Sequence, residues 1–325
     1  MDAFLPMFKN VLLFVLLAVP GYILVKSKAL KGEQSGVLSK LLMTVGMPFL
    51  IISGTLGIEF TKDTVFGLIM SAVLSSAVIF ICFFLSLFLT KKFSKTDEEF
   101  EIKKRGIMRF AQIFSNNGFL GLPLALAIGV NPTVFAYLVV INIITNVMLY
   151  TLGIYLVSAD KNTINIKSVL LNPVLIGFIV GIVLNLTGVA TAVVEIKTFS
   201  DHFKNLVTPV SMLILGMKMG GIKFSVLFSS EKLYWVSIVK LVLVPILAVI
   251  VTYLVSFVIS FDKAFMIEAM FIAFAMPTAG LATAFSDRYN GDTESAVIFT
   301  LGTTILSIFT IPVLYYLVNL FINII

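Results

Sequence analysis

The polar residues able to do chemistry in this chain are few, and most are amides and hydroxyls set in apolar surroundings. Asn116 and Asn117 are adjacent, within Phe114-Ser115-Asn116-Asn117-Gly118-Phe119-Leu120-Gly121-Leu122-Pro123-Leu124. An amide can donate to a carboxylate, and it can also repair an opened backbone. Asn142 and Asn146 are four residues apart, so on a helix they share a face. They either hydrogen-bond between helices or line a cavity. Thr278 and Thr283 bring hydroxyls to a second interrupted stretch, Phe274-Ala275-Met276-Pro277-Thr278-Ala279-Gly280-Leu281-Ala282-Thr283-Ala284-Phe285. Lys240, in Ile-Val-Lys-Leu-Val-Leu, is the deepest charge in an apolar run. It attracts an anion, pairs with a carboxylate or snorkels toward an interface.

Other chemistries lack their residues. His202 is the single histidine, so neither a histidine metal cluster nor a Ser-His-Asp site is available, and nothing has Walker A spacing. Cys82 is the single cysteine, in an apolar run, which rules out a disulfide framework and reads as a buried thiol. No cofactor motif is present, and an intramembrane enzyme would need paired catalytic groups that this pattern does not offer. The net charge of +6 fits basic loops of a membrane protein better than nucleic-acid binding.

These residues must be positioned by membrane-spanning helices. The chain of 325 residues is 59% hydrophobic and 12% charged, with mean hydropathy +1.08. A soluble domain carries roughly 25% charged residues, so there is too little polar surface here to cover a water-soluble globule. Apolar stretches long enough to span a bilayer fall at about 4–25, 36–56, 65–90, 106–129, 132–158, 168–188, 203–220, 232–260, 264–286 and 293–322. The first has no small-residue cleavage site after it and reads as a retained helix. Of the 23 Lys and Arg, 17 fall on the odd-numbered connections, five on the other side, and Lys240 lies within a span. Cations accumulate on the cytoplasmic side, so both termini are expected to be extracytoplasmic.

Two of these spans are poorly suited to continuous helix. Proline removes a backbone donor and clashes one turn back, and glycine weakens a helix interior. In hydrocarbon a broken helix survives only where it is buried in protein or lines a cavity. The spacing from Pro48 to Pro123 is 75 residues and from Pro209 to Pro277 is 68, which suggests two related halves. Each half holds five spans, an odd number, so the second is inverted. Interrupted helices at matching positions point to a transporter's binding site. A half-helix of about 10 residues is about 15 Å long, which sets each break near the midplane. The second half of each span then starts there with free N–H groups that favour an anion. The first halves end with carbonyls that could hold Na⁺, and this geometry does not choose between the two.

Gly177/Gly181 and Gly216/Gly220 are small-xxx-small pairs that allow close helix packing. Glu268 lies nine residues before Pro277, about 13 Å along a helix, and reads as a structural or rim residue.

Three stretches resemble the auxin efflux carrier family, in the superfamily that also holds the bile acid/sodium symporters. Asn116 to Pro123 is similar to the family's fourth-helix signature. Met276 to Gly280, followed by Phe285-Ser286-Asp287-Arg288-Tyr289-Asn290, is similar to its ninth-helix signature. Thr303 to Pro312 is similar to its closing helix. The resemblance implies ten helices in two inverted five-helix repeats, a crossing of the fourth and ninth helices, and a scaffold domain moving against a transport domain. It implies carriage of small organic anions: auxin in plants, and malonate, malate or related carboxylates in bacteria. It places the substrate amide on Asn116, the fifth-helix polar position on Asn142, and the break prolines on Pro123 and Pro277. The short link after Ser158 lacks the long central loop of the long plant members, which makes this a compact, prokaryotic-type form.

The expected fold is therefore an all-α polytopic membrane protein. Residues 1–158 form the first five-helix repeat, 159–167 a short cytoplasmic linker, and 168–325 the inverted second repeat. The expected function is a secondary transporter of mono- or dicarboxylates across the cell membrane by alternating access. Alternatives are a Na⁺-coupled symporter of the same fold and a non-transporting membrane receptor. Candidate substrate residues are Asn116, Asn117, Gly118, Pro123, Asn142, Asn146, Lys240, Pro277, Thr278, Ala279 and Gly280, with a candidate Na⁺ site near Asn117, Thr278 and Thr283. Partners are the anion and membrane lipid, without nucleic acid or cofactor; a homodimer is left open. The topology has a direct check. A cysteine placed near Glu98 is expected to be labelled by an impermeant reagent only from the cytoplasmic side, and labelling from outside overturns the cation count.

Overall fold

The structure is a computed structural model that describes residues 4–93, 99–163, 172–189, 194–222 and 227–325. The expected cytoplasmic cations Lys95, Lys167 and Lys223, the labelling site Glu98 and linker residues 164–167 lie outside them. Among the described residues the regular structure is helical, apart from one isolated β-bridge.

The principal helices are α1 (Phe4–Lys26), α2 (Gly32–Thr55), α3 (Lys62–Leu89), α4 (Glu99–Ile113), α5 (Asn117–Ile128), α6 (Pro132–Ser158), α7 (Pro173–Leu186), α8 (Val194–Gly220), α9 (Glu231–Val255), α10 (Lys263–Ala275), α11 (Leu281–Arg288) and α12 (Thr293–Ile324). Helix starts follow local chemistry. Side chains of Thr61, Asn131, Asn172, Asp262 and Asp292 each accept from a first-turn N–H at 2.9–3.1 Å, the N-cap arrangement that satisfies an otherwise free donor. Pro132 and Pro173 occupy the first helical position, where no donor is needed. Gly129 closes α5 in the left-handed conformation, φ 72°.

Six helices among the described residues, α1, α2, α3, α6, α9 and α12, are long and apolar enough to cross a membrane. Helices α5 and α7 are apolar but shorter. The 14 residues of α7 reach about 21 Å, less than the roughly 30 Å of a hydrocarbon core. Helix α8 begins at Val194, before the expected 203, and the added portion carries the charged residues Glu195, Lys197 and Asp201. The expected fourth and ninth spans are each two helices, α4 with α5 and α10 with α11. Large apolar side chains such as Leu16, Phe84, Phe88, Leu254 and Phe309 are exposed on the outside, a surface suited to lipid rather than water.

The helices pack as two groups. In the first, α1 lies on α8, α7 on α2, and α8 on α2. These contacts need small residues. A Cβ added at Gly216 would sit 1.8 Å from the Ala18 carbonyl oxygen, and one at Gly21 would sit 2.2 Å from that of Leu213. Gly177 meets the Pro48 backbone and Gly181 meets Thr55 and Ile52, so both small-residue pairs read from the sequence mark tight contacts. The Asn185 amide donates to the carbonyls of Thr55, Leu56 and Ile58 at 3.0–3.1 Å, closing the C-terminal end of α2. The second group joins α3, α4, α6, α9, α10 and α12. There Tyr315 donates to Glu268 at 2.8 Å, tying α12 to α10, in keeping with a structural role for Glu268.

Several connections gather around shared cavities. Lys28 and Lys31 before α2, Gly221 after α8 and Asp287 at the end of α11 line one cavity. Phe93, Lys104, Lys232 and Asp292 line another. The turns after α2 and α7 meet elsewhere, through Asn185.

The α1–α8 contact yields a test. Gly216→Leu forces the helices apart, and overpacking of this kind typically costs about 1–3 kcal/mol. Thermal unfolding in detergent is expected to fall clearly for Gly216→Leu and little for Gly36→Leu, since nothing lies within 4 Å of a Cβ at Gly36. Equal melting of both variants would deny the close approach.

Candidate functional site

The two broken spans are interrupted for different local reasons. Pro277 disfavours helical backbone in the residue before it, and Met276 is extended, with φ −65° and ψ 147°. In the other span Asn116 takes φ −80° and ψ 49°, and the helix resumes at Asn117. Pro123 is not in that break. It lies within α5, just after a wide π turn at Asn117–Gly121, where its missing N–H is accommodated. The expected pair of equivalent break prolines is thus corrected: only Pro277 stands in a break.

The interrupted backbones pair with each other. Asn116 N–H donates to the Pro277 carbonyl at 2.7 Å, and Ala279 N–H donates to the Phe114 carbonyl at 2.9 Å. This is an antiparallel bridge between Ser115 and Thr278. Around it, Thr278 N–H donates to Thr303 Oγ1 at 3.1 Å, and Thr278 Oγ1 donates to the Ala111 carbonyl at 2.9 Å. Lys240, fully buried on α9, donates to Ser115 Oγ and, at 3.4 Å, to the Ile113 carbonyl. A cation at the C-terminal end of a helix meets the negative end of its dipole. The end of α4 is therefore occupied by Lys240 and Thr278, groups of the protein itself.

Beside the crossing lies a small cavity lined by Ser115, Asn116, Asn117, Gly118, Asn142 and Asn146, together with Ala279 and Gly280 of the second break. Its outer wall comes from the first helix group, through Met43 and Met47 of α2 and Val174 of α7. Three of the four amides are engaged. Asn142 Nδ2 donates to Asn117 Oδ1 at 2.7 Å, and Asn117 Nδ2 donates to Thr145 Oγ1 at 3.1 Å. Asn146 Nδ2 donates to the Asn142 carbonyl at 2.9 Å and to its Oδ1 at 3.2 Å. The Asn116 side chain makes no hydrogen bond to any described residue. Only its backbone serves the fold, the N–H donating to Pro277 and the carbonyl accepting from Leu120 and Gly121. Gly118 packs closely on this network: a Cβ there would lie 3.0 Å from Asn142 Nδ2, so that side chain would have to shift.

Seven expected site residues thus line one cavity: Asn116, Asn117, Gly118, Asn142, Asn146, Ala279 and Gly280. Pro123, Lys240, Pro277 and Thr278 do not line it. The residues named for Na⁺ are also dispersed: Asn117 lines the cavity, Thr278 is at the crossing, and Thr283 donates to the Gly280 carbonyl and lines a different cavity. Ser115, Thr145, Met47 and Val174 also line the cavity and were not among the residues expected there. Thr145 had a signal, lying between the paired amides of α6. Met47 and Val174 had none, being ordinary apolar residues on other helices.

Lys240 provides the test of this arrangement. Lys240→Met removes the donor to Ile113 and Ser115, and a buried partner left unpaired costs about 1–3 kcal/mol. A lowered unfolding temperature is expected. Unchanged melting would mean that the ammonium does not hold the crossing together.

With this geometry in hand, the comparisons place the chain. No curated protein matches it. A family model described as membrane transport protein matches residues 6–315, nearly the whole length. A helical protein with lipid-suited surfaces, whose interrupted helices enclose a polar cavity, agrees with that match, and the chain belongs to this family of membrane transport proteins, the auxin efflux carrier family.

Proposed function

We propose that this membrane transporter is a secondary carrier of small organic anions, mono- or dicarboxylates, working by alternating access in the cell membrane. The observation that carries the reading is the free Asn116 amide in a cavity where α5 and α11 both begin. First-turn N–H groups have no acceptor within their own helix, and a helix start favours negative charge. A carboxylate accepts hydrogen bonds only, so free donors without a neutralising acid suit it. Asn117, Asn142 and Asn146 hold the cavity's shape, and Asn116 is the amide left to bind.

The size of the cavity supports movement. It offers about 40 Å³ of room, where about 10–15 Å³ of such space holds one water. A dicarboxylate needs more. Its walls come from two helix groups, so displacement of α1, α2, α7 and α8 against the rest would open it. We assign the first group to the scaffold and the second to the transport domain. In this reading the chain has ten spans in two inverted halves, with both termini extracytoplasmic. The gathering of odd-numbered connections around shared cavities supports that alternation. Occupation of the α4 carbonyls by Lys240 and Thr278 favours a carrier without Na⁺ at that position.

The test compares two neighbouring amides in proteoliposomes supplied with radiolabelled malonate or malate. Asn116→Ala is expected to raise KM about tenfold, equivalent to about 1.4 kcal/mol, with normal melting. Asn117→Ala leaves Asn142 and Thr145 short of a partner and is expected to lower stability by about 1–3 kcal/mol. An unchanged KM in Asn116→Ala removes that residue from the site. Absence of carboxylate uptake by the wild type overturns the substrate class.

A further inference from the structure

A second cavity, about 730 Å³, opens between the α1–α2 connection, the end of α8, α11 and α12. Its charged lining is Lys28, Lys31 and Lys218, against Glu33 and Asp287. Lys28 and Lys31 are loop cations of the kind every membrane protein carries at one face. Lys218 is different. It sits in the last turn of α8 and is part-buried, and its ammonium makes no hydrogen bond or ion pair with any described residue. Neither acid on the cavity wall pairs with it, and Asp287 Oδ1 accepts instead from Thr293 at 2.9 Å. A charge drawn away from water without a partner is costly.

Its position is informative. Lys218 Nζ lies 3.7 Å from where a Cβ of Gly280 would stand. Gly280 immediately precedes α11 and also lines the central cavity beside Asn116. Lys218 therefore lines the larger cavity beside a wall residue of the smaller one, next to the start of α11. On the same wall Thr300 is 4% exposed, and its hydroxyl is buried without a partner. The Lys218 ammonium and the start of α11 come together where neither carboxylate of the cavity wall pairs with the ammonium.

We infer that Lys218 and the start of α11 form a second anion site, which takes a substrate carboxylate at the mouth of the central cavity. This rests on the organic-anion reading above. Lys218 supplies the full positive charge that the amide-lined cavity lacks, and Gly280, having no side chain, leaves the ammonium and the α11 backbone open to one carboxylate. Lys28 and Lys31 raise the local anion concentration at the outer part of the same cavity.

The experiment uses the full chain in phosphatidylcholine vesicles with malonate as probe. Acylation of Lys218 by an amine reagent is followed by peptide mass spectrometry, with Lys28 and Lys31 as internal controls. Malonate is expected to slow acylation of Lys218 at least fivefold and that of Lys28 little. Lys218→Gln is expected to raise the KM for malonate at least tenfold, and Lys218→Arg to stay within about threefold. If wild-type protein takes up malonate while Lys218 is unprotected, or Lys218→Gln keeps the wild-type KM, the second site is wrong and the carrier reading stands. If no carboxylate is taken up but Lys218 is protected, the anion site stands and the carrier reading falls. If neither occurs, both fall. A parallel arm adds phosphatidylglycerol without malonate; protection of Lys218 there alone assigns the site to a lipid phosphate and overturns the carboxylate. Should Lys218→Gln fail to fold, the acylation measurement on the wild type still decides.

Discussion

The arrangement depends on two backbone hydrogen bonds, Asn116 N–H to the Pro277 carbonyl and Ala279 N–H to the Phe114 carbonyl. At membrane depth there is no water to satisfy an interrupted helix, and each unpaired group costs several kcal/mol. A single break in this chain would have to find side chains to answer it. Two breaks that cross answer one another, and residues 163 apart in sequence, Ser115 and Thr278, form the bridge. The remaining groups at the crossing are completed by Thr278, Thr303 and Lys240. The crossing is thus a packed, hydrogen-bonded joint, and the cavity is the space beside it.

That joint explains the division of labour among four asparagines of similar sequence context. Asn117, Asn142 and Asn146 form a continuous chain with Thr145, linking α5 to α6. In this network each of the three amides donates to another member, which ties them to one another rather than to a ligand. Asn116 differs because its residue is the break itself. Its N–H goes to Pro277, its carbonyl goes to the first turn of α5, and its amide is left over. Chemistry available to a ligand is what the fold does not use.

The same logic separates Lys240 from the part-buried Lys218. Lys240 is enclosed by carbonyl and hydroxyl groups at the end of α4 and belongs to the joint. Lys218 has a cavity on one side and Gly280 on the other, with no hydrogen-bond acceptor among the described residues. The first helix group, held by backbone-close contacts at Gly21 and Gly216, forms the outer wall of the small cavity. Its contact with the second group is made there through the apolar side chains Met43, Met47 and Val174, which resist sliding less than hydrogen bonds would.

By itself the sequence determined the class of the protein, the position of nearly every helix and the two places where a helix must fail. These follow from composition and from local rules: apolar length, proline, glycine and capping residues act within a turn or two of chain. The Asn142/Asn146 pair and the small-residue contacts of Gly177 and Gly216 were legible for the same reason, because helical spacing places them. Tertiary structure decided the rest. Pro123 looks like a break proline and is not one, since the turn at Asn117–Gly121 widens to absorb it. Nothing in the chain around Lys240 says that it reaches Ser115, 125 residues away, nor does the end of α8 announce that Lys218 lies beside Gly280. Which donor is spent and which is free depends on partners brought together only when the two interrupted helices cross, and no local pattern encodes a contact between segments so far apart.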